Sequence, residues 1–141
     1  AGGNTDIYGQ YISSTTDSVA GNDTLNGNAG DDVLVASGGN DTLDGGVGAD
    51  ILTGGAGIDY FIIRSGDGGS SITDADAITD FTNDTDRIGM SGLNFSDLTR
   101  EQGTGSYISH VVVKKPSTGE FLTIIQNINL SDIDDNDFEA I

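Results

Sequence analysis

The chain lacks several features on which other proteins rely for stability or chemistry. Its 141 residues include no cysteine and no tryptophan and only one proline, so disulfides and thiolate metal sites are excluded. Only five residues are lysine or arginine, against 23 aspartates and glutamates, which gives a formal net charge of −18. Nucleic acids and anionic membranes require a basic surface, and no apolar run approaches the ~20 residues of a membrane span. We therefore expect no nucleic-acid partner and no membrane insertion.

The chain is also poor in the residues that build a large core. Hydrophobic residues make up 35% of it, which is low for a globular domain, and the carboxylates repel one another in a compact state. A cation is the natural partner of such a surface. The N-terminus, Ala1 to Asn4, has neither a charged region nor an apolar signal segment, so we interpret the chain as a piece of a larger protein.

The sequence has a strict internal period between residues 18 and 62. Three series of residues recur every nine positions over five repeats. The glycine series is Gly21, Gly30, Gly39, Gly48 and Gly57, the aspartate series is Asp23, Asp32, Asp41, Asp50 and Asp59, and the apolar series is Leu25, Leu34, Leu43, Leu52 and Phe61. A fixed short period indicates a solenoid whose repeats stack on one another.

The composition of each repeat predicts a calcium site. A repeat consists of six turn residues and three strand residues, as in Gly54–Asp59 followed by Tyr60–Ile62. Glycines permit tight turns whose carbonyl groups point to one side, and the aspartate adds a carboxylate. Ca²⁺ prefers about six to eight such oxygens, which two stacked turns supply together. Besides the periodic glycines and aspartates, the candidate metal-binding residues are Asn22, Asn40, Gly45, Gly46, Gly54 and Gly55.

The strand period predicts where the ions lie. The middle strand residue points inward and its neighbours point outward, so that the apolar series forms a core stack. Two repeats make one coil, and successive coils stack at ~4.8 Å. This arrangement predicts three core Ca²⁺ ions, between Asp23 and Asp41, between Asp41 and Asp59, and between Asp32 and Asp50.

These repeats resemble the RTX (repeats-in-toxin) family, whose unit is Gly-Gly-x-Gly-x-Asp-x-hydrophobic-x. The resemblance implies an all-β fold, a right-handed parallel β-roll that folds when it binds Ca²⁺. The segments Asp76–Phe81 and Asp86–Ile88, followed by Ser91–Leu93, are similar to the region after the roll in serralysin-type proteases and mannuronan-epimerase R-modules. The resemblance also makes Asp67 and Asp76 candidates for an extra metal site.

The chain departs from the family pattern at three places. The first repeat has Ser18-Val19-Ala20 and the third has Ala36-Ser37 where glycine is expected, and we expect these turns to bind calcium more weakly. Asp137-Phe138 followed by three residues is similar to the C-termini of type I secretion substrates, but the last three, Glu139 to Ile141, are not a wholly apolar triplet.

The chain divides into three predicted segments. Residues 1–17 form a linker or N-terminal lid, residues 18–63 the β-roll of five repeats, and residues 64–141 a C-terminal β cap with the secretion-signal region. In the last segment Tyr107–Lys115 and Glu120–Ile128 predict a hairpin. We expect the tail to cover Val33, Val35 and Ile51 at least in part and to bury Tyr60 and Ile62. The apolar hairpin residues, among them Val111, Val113, Leu122 and Ile124, form the predicted covering layer. Ser131 is the predicted N-cap of a short helix.

The sequence predicts a binding function rather than catalysis. It contains no nucleophile elbow, zinc motif or P-loop, and the single histidine, His110, lies in a predicted strand and is expected to be structural. We predict a monomeric, noncatalytic module of a secreted bacterial protein. It leaves the cell unfolded through the type I secretion machinery, because cytosolic calcium is low, and folds outside the cell on Ca²⁺. Two alternatives stay open, a module that binds an acidic polysaccharide and the C-terminal part of a large adhesin.

Overall fold

The computed structural model describes residues 20–141 and, within residues 1–19, the backbone of the strands β1 (Asp6–Tyr8) and β2 (Thr15–Thr16). The predicted lid over residues 1–17 otherwise lies outside the described residues. The strands that follow are β3 (Thr24–Asn26), β4 (Val33–Val35), β5 (Thr42–Asp44), β6 (Ile51–Thr53), β7 (Tyr60–Arg64), β8 (Asp76–Ile78), β9 (Arg87–Ser91), β10 (Thr99–Gln102), β11 (Val111–Lys115), β12 (Glu120–Ile125) and β13 (Phe138–Ala140). Short 3-10 helices span Ile72–Asp74, Phe95–Asp97, Gly105–Tyr107, Leu130–Asp132 and Asp135–Asp137.

The strands of the repeats alternate between two sheets. One sheet has the order β1-β3-β5-β7-β9-β13 and the other the order β10-β11-β12-β8-β6-β4-β2. Within the roll each strand pairs in parallel with the strand two places away, so that Leu25 lies beside Leu43 and Leu34 beside Leu52. Each coil therefore contains two repeats, and the prediction of an all-β parallel roll is confirmed.

The core lies between the two sheets and follows the apolar series of the repeats. Leu25, Leu34, Leu43 and Phe61 are fully buried and Leu52 is 1% exposed. Their strand neighbours alternate to the outside, because successive side chains of a strand point to opposite faces. The predicted core stack is confirmed.

Two strands after the repeats extend this core. β8 pairs with β6 and places Ile78 beside Leu52, and β9 pairs with β7 and places Ile88 beside Phe61. Both isoleucines are fully buried. The sheets of the roll thus continue past the last nonapeptide repeat, although the segment boundaries at 17/18 and 63/64 stay predictions.

The predicted hairpin exists but lies elsewhere than expected. β11 and β12 are antiparallel with a bulge between Val113 and Lys114, and β12 pairs in parallel with β8. The hairpin therefore lengthens the sheet by using the main-chain groups at the edge of β8, which would otherwise be unpaired. It does not cover the outward face, and Ile51 is 44% exposed, so the predicted covering layer over Ile51 was wrong.

The end of the chain closes the other sheet. β13 pairs in parallel with β9, and Phe138 is 7% exposed. The short helix Leu130–Asp132 begins after Asn129, which is its N-cap. Ser131 lies inside this helix, so the prediction that it is the N-cap was wrong. Asn129 has the extended backbone that an N-cap requires.

Candidate metal centre

The turns between the strands form two stacks, one on each side of the roll. The first stack contains the turns that precede β3, β5, β7 and β9, and its last members are residues 36–41, 54–59 and 80–86. The second stack contains the turns 27–32, 45–50 and 65–75, which precede β4, β6 and β8. Stacked turns are one coil apart because the strands that follow them are hydrogen-bonded neighbours.

The periodic aspartates connect successive turns of each stack. Asp41, Asp50 and Asp59 each accept, through Oδ1, a hydrogen bond from the backbone N–H of the aspartate one coil earlier, and we call the series of stacked aspartates the aspartate ladder. The N···Oδ1 distances are 2.8 Å from Asp23 to Asp41, 3.0 Å from Asp41 to Asp59 and 2.8 Å from Asp32 to Asp50. All five side chains are at most 2% exposed. The structure thus brings together each pair between which an ion was predicted.

The aspartate ladder does not end with the repeats. Asp50 N–H donates to Asp76 Oδ1 at 3.0 Å, and Asp59 N–H donates to Asp86 Oδ1 at 3.0 Å. The sequence separations are 26 and 27 residues instead of 18, so the nine-residue period does not predict these pairs. Asp86 was missed as a site residue. The available signal was the pattern Asp-x-Ile at Asp86–Ile88, which matches the Asp-x-Leu of the repeats.

The buried carboxylates of the roll are short of partners. Both side-chain oxygens of Asp32 and the Oδ2 atoms of Asp50 and Asp59 are buried and have no hydrogen-bond partner. A buried ionised carboxylate needs a counter-charge or hydrogen-bond donors. Burial, together with the nearby carboxylates of Asp86 and Asp41, raises the pKa of Asp59 to about 7. Burial also raises the pKa of Asp32 and of Asp50. A bound cation would supply the missing counter-charge.

The first glycine of a turn forms a cradle for the aspartate that ends the same turn. A Cβ added to Gly45 would lie 2.2 Å from Asp50 Oδ2, and one added to Gly54 would lie 2.2 Å from Asp59 Oδ2. Any side chain would therefore displace the carboxylate. Another glycine permits close stacking of the turns, because a Cβ on Gly57 would lie 1.8 Å from Gly39 O, and Gly57 has φ +128°. These carboxylates and the carbonyl oxygens of the closely stacked turns are the kind of oxygen ligand that Ca²⁺ prefers.

The remaining candidate glycines lie in the same stacked turns. Gly46 and Gly55 have positive φ, and an added Cβ would lie about 2 Å from the carbonyl oxygen of the turn below, at 2.1 Å and 1.8 Å respectively. Gly39 and Gly48 are in the same situation, at 1.6 Å and 2.1 Å. Gly21 and Gly30 supply the carbonyl oxygens that face Gly39 and Gly48. The structure therefore places these six glycines where turn backbones meet, whereas Gly45 and Gly54 lie against the aspartate of their own turn.

Two predicted asparagines make bonds of their own. Asn22 Oδ1 accepts from Asn40 N–H at 2.8 Å, and Asn40 Oδ1 accepts from Ile58 N–H at 2.9 Å. Both asparagines are exposed. Their amide oxygens therefore connect the turns of the first stack on the outer side of the aspartate ladder.

Asp67 and Asp76, which were predicted as one extra site, lie in different surroundings. Asp67 Oδ2 accepts from Arg64 Nη1 at 3.1 Å, and Arg64 also binds Asp44, with 2.9 Å between Nη1 and Oδ1. Burial raises the pKa of Asp67 to about 6, although Arg64 opposes the shift. Asp76 lies instead in the aspartate ladder, next to Asp50.

Among the described residues no three histidine, cysteine, aspartate or glutamate side chains converge on one point as a ready metal site. The stacked turns therefore offer pairs of carboxylates, and backbone carbonyls would complete the coordination of a Ca²⁺ ion. Over residues 20–141 the structure also contains no helix of the length and apolarity that crossing a bilayer requires.

Comparisons with known proteins agree with this geometry. The family described as "RTX calcium-binding nonapeptide repeat", in 4 copies, matches residues 18–43 and 27–61. The solution structure of the AlgE6R3 subunit from the Azotobacter vinelandii mannuronan C5-epimerase matches with a TM-score of 0.67 at 25% identity, over 94% of this chain and 81% of that one. No curated protein matches the sequence. The family match is confined to the repeats, whereas the structural likeness also covers the tail.

Proposed function

We propose that this chain is a noncatalytic module that folds on Ca²⁺ outside the cell and thereby serves the export and stabilisation of a larger type I secreted protein. The match of residues 18–61 to the RTX calcium-binding nonapeptide repeat and the likeness to the epimerase subunit support this proposal. The observation that carries the proposal is the aspartate ladder with its buried, unpartnered oxygens on Asp32, Asp50 and Asp59. The ligands are the periodic aspartates and the turn glycines, and three core ions lie between Asp23 and Asp41, Asp41 and Asp59, and Asp32 and Asp50.

Charge makes the folding conditional on calcium. The net charge is −18, and folding buries Asp32, Asp50 and Asp59, each with at least one side-chain oxygen that has no hydrogen-bond partner. The ion pairs of Arg64 and Lys114 involve Asp44, Asp67 and Glu101 instead. At low calcium the repulsion keeps the chain unfolded and exportable. Outside the cell the binding free energy of the ions becomes folding free energy. Extracellular calcium modules bind at ~10⁻⁴–10⁻³ M, and ions that share an aspartate should bind cooperatively.

Far-UV circular dichroism tests this proposal. The chain should give a disordered spectrum in EDTA and a β spectrum in millimolar Ca²⁺, and Mg²⁺ should replace Ca²⁺ poorly because it demands compact octahedral sites. A reversible switch on alternating additions of Ca²⁺ and EDTA is expected. Equal β content in EDTA and in Ca²⁺ would contradict a calcium-dependent folding module.

One observation favours a second candidate function, the binding of an acidic polysaccharide. The likeness to a subunit of a mannuronan C5-epimerase extends over 94% of the chain. The basic side chains, however, are all engaged within the protein: Arg64 with Asp44, Arg87 with Asp86 O, Arg100 with Ile133 O, Lys114 with Glu101, and Lys115 with Ser65. Contact with a polyanion would therefore depend on calcium bridges. Retardation of the calcium-loaded chain in a polymannuronate gel, relative to a neutral dextran gel, would support this candidate.

A further inference from the structure

The outer face of the hairpin carries a pocket that is distinct from the proposed calcium sites. Its volume is about 420 Å³, within the range of about 300–1,000 Å³ that is typical of small-molecule sites. Ile72, Val112 and Phe121 give it apolar surface, and Tyr107 adds a second aromatic ring. Val112 is 1% exposed and forms the floor, because its two strand neighbours face the core. Tyr107 and Phe121 are half-buried, so solvent reaches the aromatic surface.

The loop between β10 and β11 holds Tyr107 in place. Gly103 N–H donates to His110 O at 2.9 Å, and Tyr107 N–H donates to Thr104 O at 3.0 Å. Gln102 Nε2 donates to His110 O at 2.9 Å, which ties the loop to β10. The ring of His110 packs edge-on against Tyr107, with 6.3 Å between the centroids. The aromatic wall of the pocket is therefore ordered before a ligand binds, which lowers the entropic cost of binding.

The rim of the pocket is polar but locally neutral. Glu101 and Thr104 line it, and Glu101 Oε1 lies 3.5 Å from Lys114 Nζ. Lys114 Nζ is also 4.7 Å from the centroid of the Phe121 ring, so it already takes a position in which a cationic ligand would interact with this ring. An anionic ligand would meet the net charge of −18. The electrostatics therefore favour a neutral ligand.

A second pocket of the structure lacks this combination. Its volume is about 260 Å³, and it lies beside the second stack, where its lining contains Asp31, Asp67 and Asp74 but no aromatic residue. A ring-shaped neutral ligand would find no surface there on which to stack. The hairpin pocket instead combines two aromatic rings with carboxylate, hydroxyl and ammonium groups.

We propose that the hairpin pocket binds one pyranose ring of a neutral oligosaccharide. The C–H face of a pyranose is apolar and would pack on Tyr107 and Phe121. The sugar hydroxyls both donate and accept hydrogen bonds, and Glu101, Thr104 and Lys114 together offer acceptors and donors to match them. Because a neutral sugar needs no counter-charge, this site requires no calcium bridge. It therefore differs in ligand and in location from the binding of an acidic polysaccharide considered above.

Amide chemical-shift mapping of the ¹⁵N-labelled full chain in millimolar Ca²⁺ tests the site. Cellotetraose, maltotetraose and mannotetraose are the neutral probes, and tetramannuronate is the anionic comparison. A neutral probe should shift the amides of Glu101, Tyr107 and Phe121, and tetramannuronate should shift them less. Tyr107→Ala should weaken binding of that probe about tenfold, because a stacking partner is lost. Ile108→Ala is the matched control and should keep the affinity, because Ile108 is 66% exposed in the same loop and does not line the pocket.

Four outcomes would overturn the inference. The first is that none of the neutral probes shifts these amides, and the second is that the shifts lie elsewhere in the chain. The third is that tetramannuronate binds here more tightly than every neutral probe, which would make the ligand an anion. The fourth is an equal loss of affinity in Tyr107→Ala and Ile108→Ala, which would indicate a general disturbance of the loop. If Tyr107→Ala does not fold, Glu101→Ala replaces it, because the Glu101 side chain is 54% exposed. This variant should weaken binding about fivefold, and an unchanged affinity would exclude Glu101 from the site.

Discussion

The roll and the tail build the same architecture from different kinds of sequence. Between residues 20 and 62 every coil has 18 residues, and the turns, strands and core positions recur in register. In the tail the turns 65–75 and 80–86 differ in length, yet β8 and β9 occupy the next places in the two sheets. The comparison shows that strand pairing and one inward apolar residue, Ile78 or Ile88, define a coil, whereas the length of its turn can vary.

The two regions also compensate buried carboxylates differently. In the roll, Asp32, Asp50 and Asp59 have side-chain oxygens without partners. In the tail, Glu120 is 7% exposed and accepts from Gly66 N–H at 2.6 Å and Gly68 N–H at 3.2 Å. In the proposed function a cation compensates these carboxylates of the roll, whereas backbone donors compensate Glu120 in the tail. Each prediction below changes one side of this contrast.

The largest expected effect comes from removing the tail. A chain that ends at Ile63 keeps every repeat but loses β8 and β9, so that the edges of β6 and β7 have no partner. Ile62, now 5% exposed, would become accessible, and its burial alone contributes ~1.5–3 kcal/mol. We expect this chain to show little β-structure by circular dichroism even in millimolar Ca²⁺.

A smaller truncation separates the contribution of β13 from that of β8, β9 and the hairpin. A chain that ends at Asn129 keeps β8, β9 and the hairpin but loses β13, which pairs with β9, and the hydrogen bond of 2.9 Å from Tyr60 to Glu139. It should fold at a higher calcium midpoint than the full chain. If the chain ending at Ile63 folded with the full-length midpoint, the tail would not contribute to the stability of the roll.

The contrast also explains how much the sequence could predict. The nine-residue period sufficed for the roll, its core stack and the three aspartate pairs, because equal spacing in the chain becomes equal spacing in space. The position of the hairpin could not be predicted, because alternation shows that β11 and β12 pair with each other but not which sheet edge accepts them. Asp86 was missed because it lies 27 residues after Asp59 instead of 18, so counting in steps of one coil does not reach it. Its neighbour Ile88 nevertheless pairs with Phe61, as a further coil of the roll requires.

The next effect concerns a middle rung of the aspartate ladder. Asp41 donates its N–H to Asp59 and accepts from Asp23 N–H through its carboxylate, so the Asp41 carboxylate lies between two predicted ions. Asp41→Ala should raise the calcium midpoint about tenfold, which corresponds to ~1.4 kcal/mol. Asp23→Ala, which borders only one predicted ion, should raise it less. Calcium titrations followed by circular dichroism would compare the two variants, and equal midpoints would mean that the ions do not share Asp41.

A smaller effect is expected from pH in the absence of calcium. The pKa of Asp59 is raised to about 7 by burial, against an ordinary value of ~3.9. A raised pKa favours the folded state fully below ~4, and this contribution disappears as the pH rises through about 7. In EDTA the β content should therefore be higher at pH 5 than at pH 8.

Two controls sharpen the pH prediction. At saturating Ca²⁺ the β content should change little over the same range, because the ion then replaces the proton as the counter-charge. Asp59→Asn carries no titrating group at this position and should reduce the pH dependence in EDTA. A wild type whose β content in EDTA does not rise between pH 8 and pH 5 would show that protonation of the ladder does not stabilise the roll.

The smallest effect is expected in the turn of the third repeat. This turn has Ser37 where glycine is expected, and it is therefore predicted to bind calcium more weakly. Ser37 has φ +81°, a left-handed conformation that costs a residue with a Cβ ~1–2 kcal/mol. Ser37→Gly removes this strain, but glycine loses ~0.5–1 kcal/mol more conformational freedom on folding. The net gain in the middle of these ranges is ~0.75 kcal/mol, so the calcium midpoint should fall about threefold. Asn28 occupies the equivalent position of the second repeat with φ +70°, and asparagine tolerates this region better than serine. Asn28→Gly is therefore the matched control and should lower the midpoint less. If Ser37→Gly raised the midpoint, the serine side chain would stabilise the turn by more than the strain destabilises it, and the third repeat would not be weaker than its neighbours.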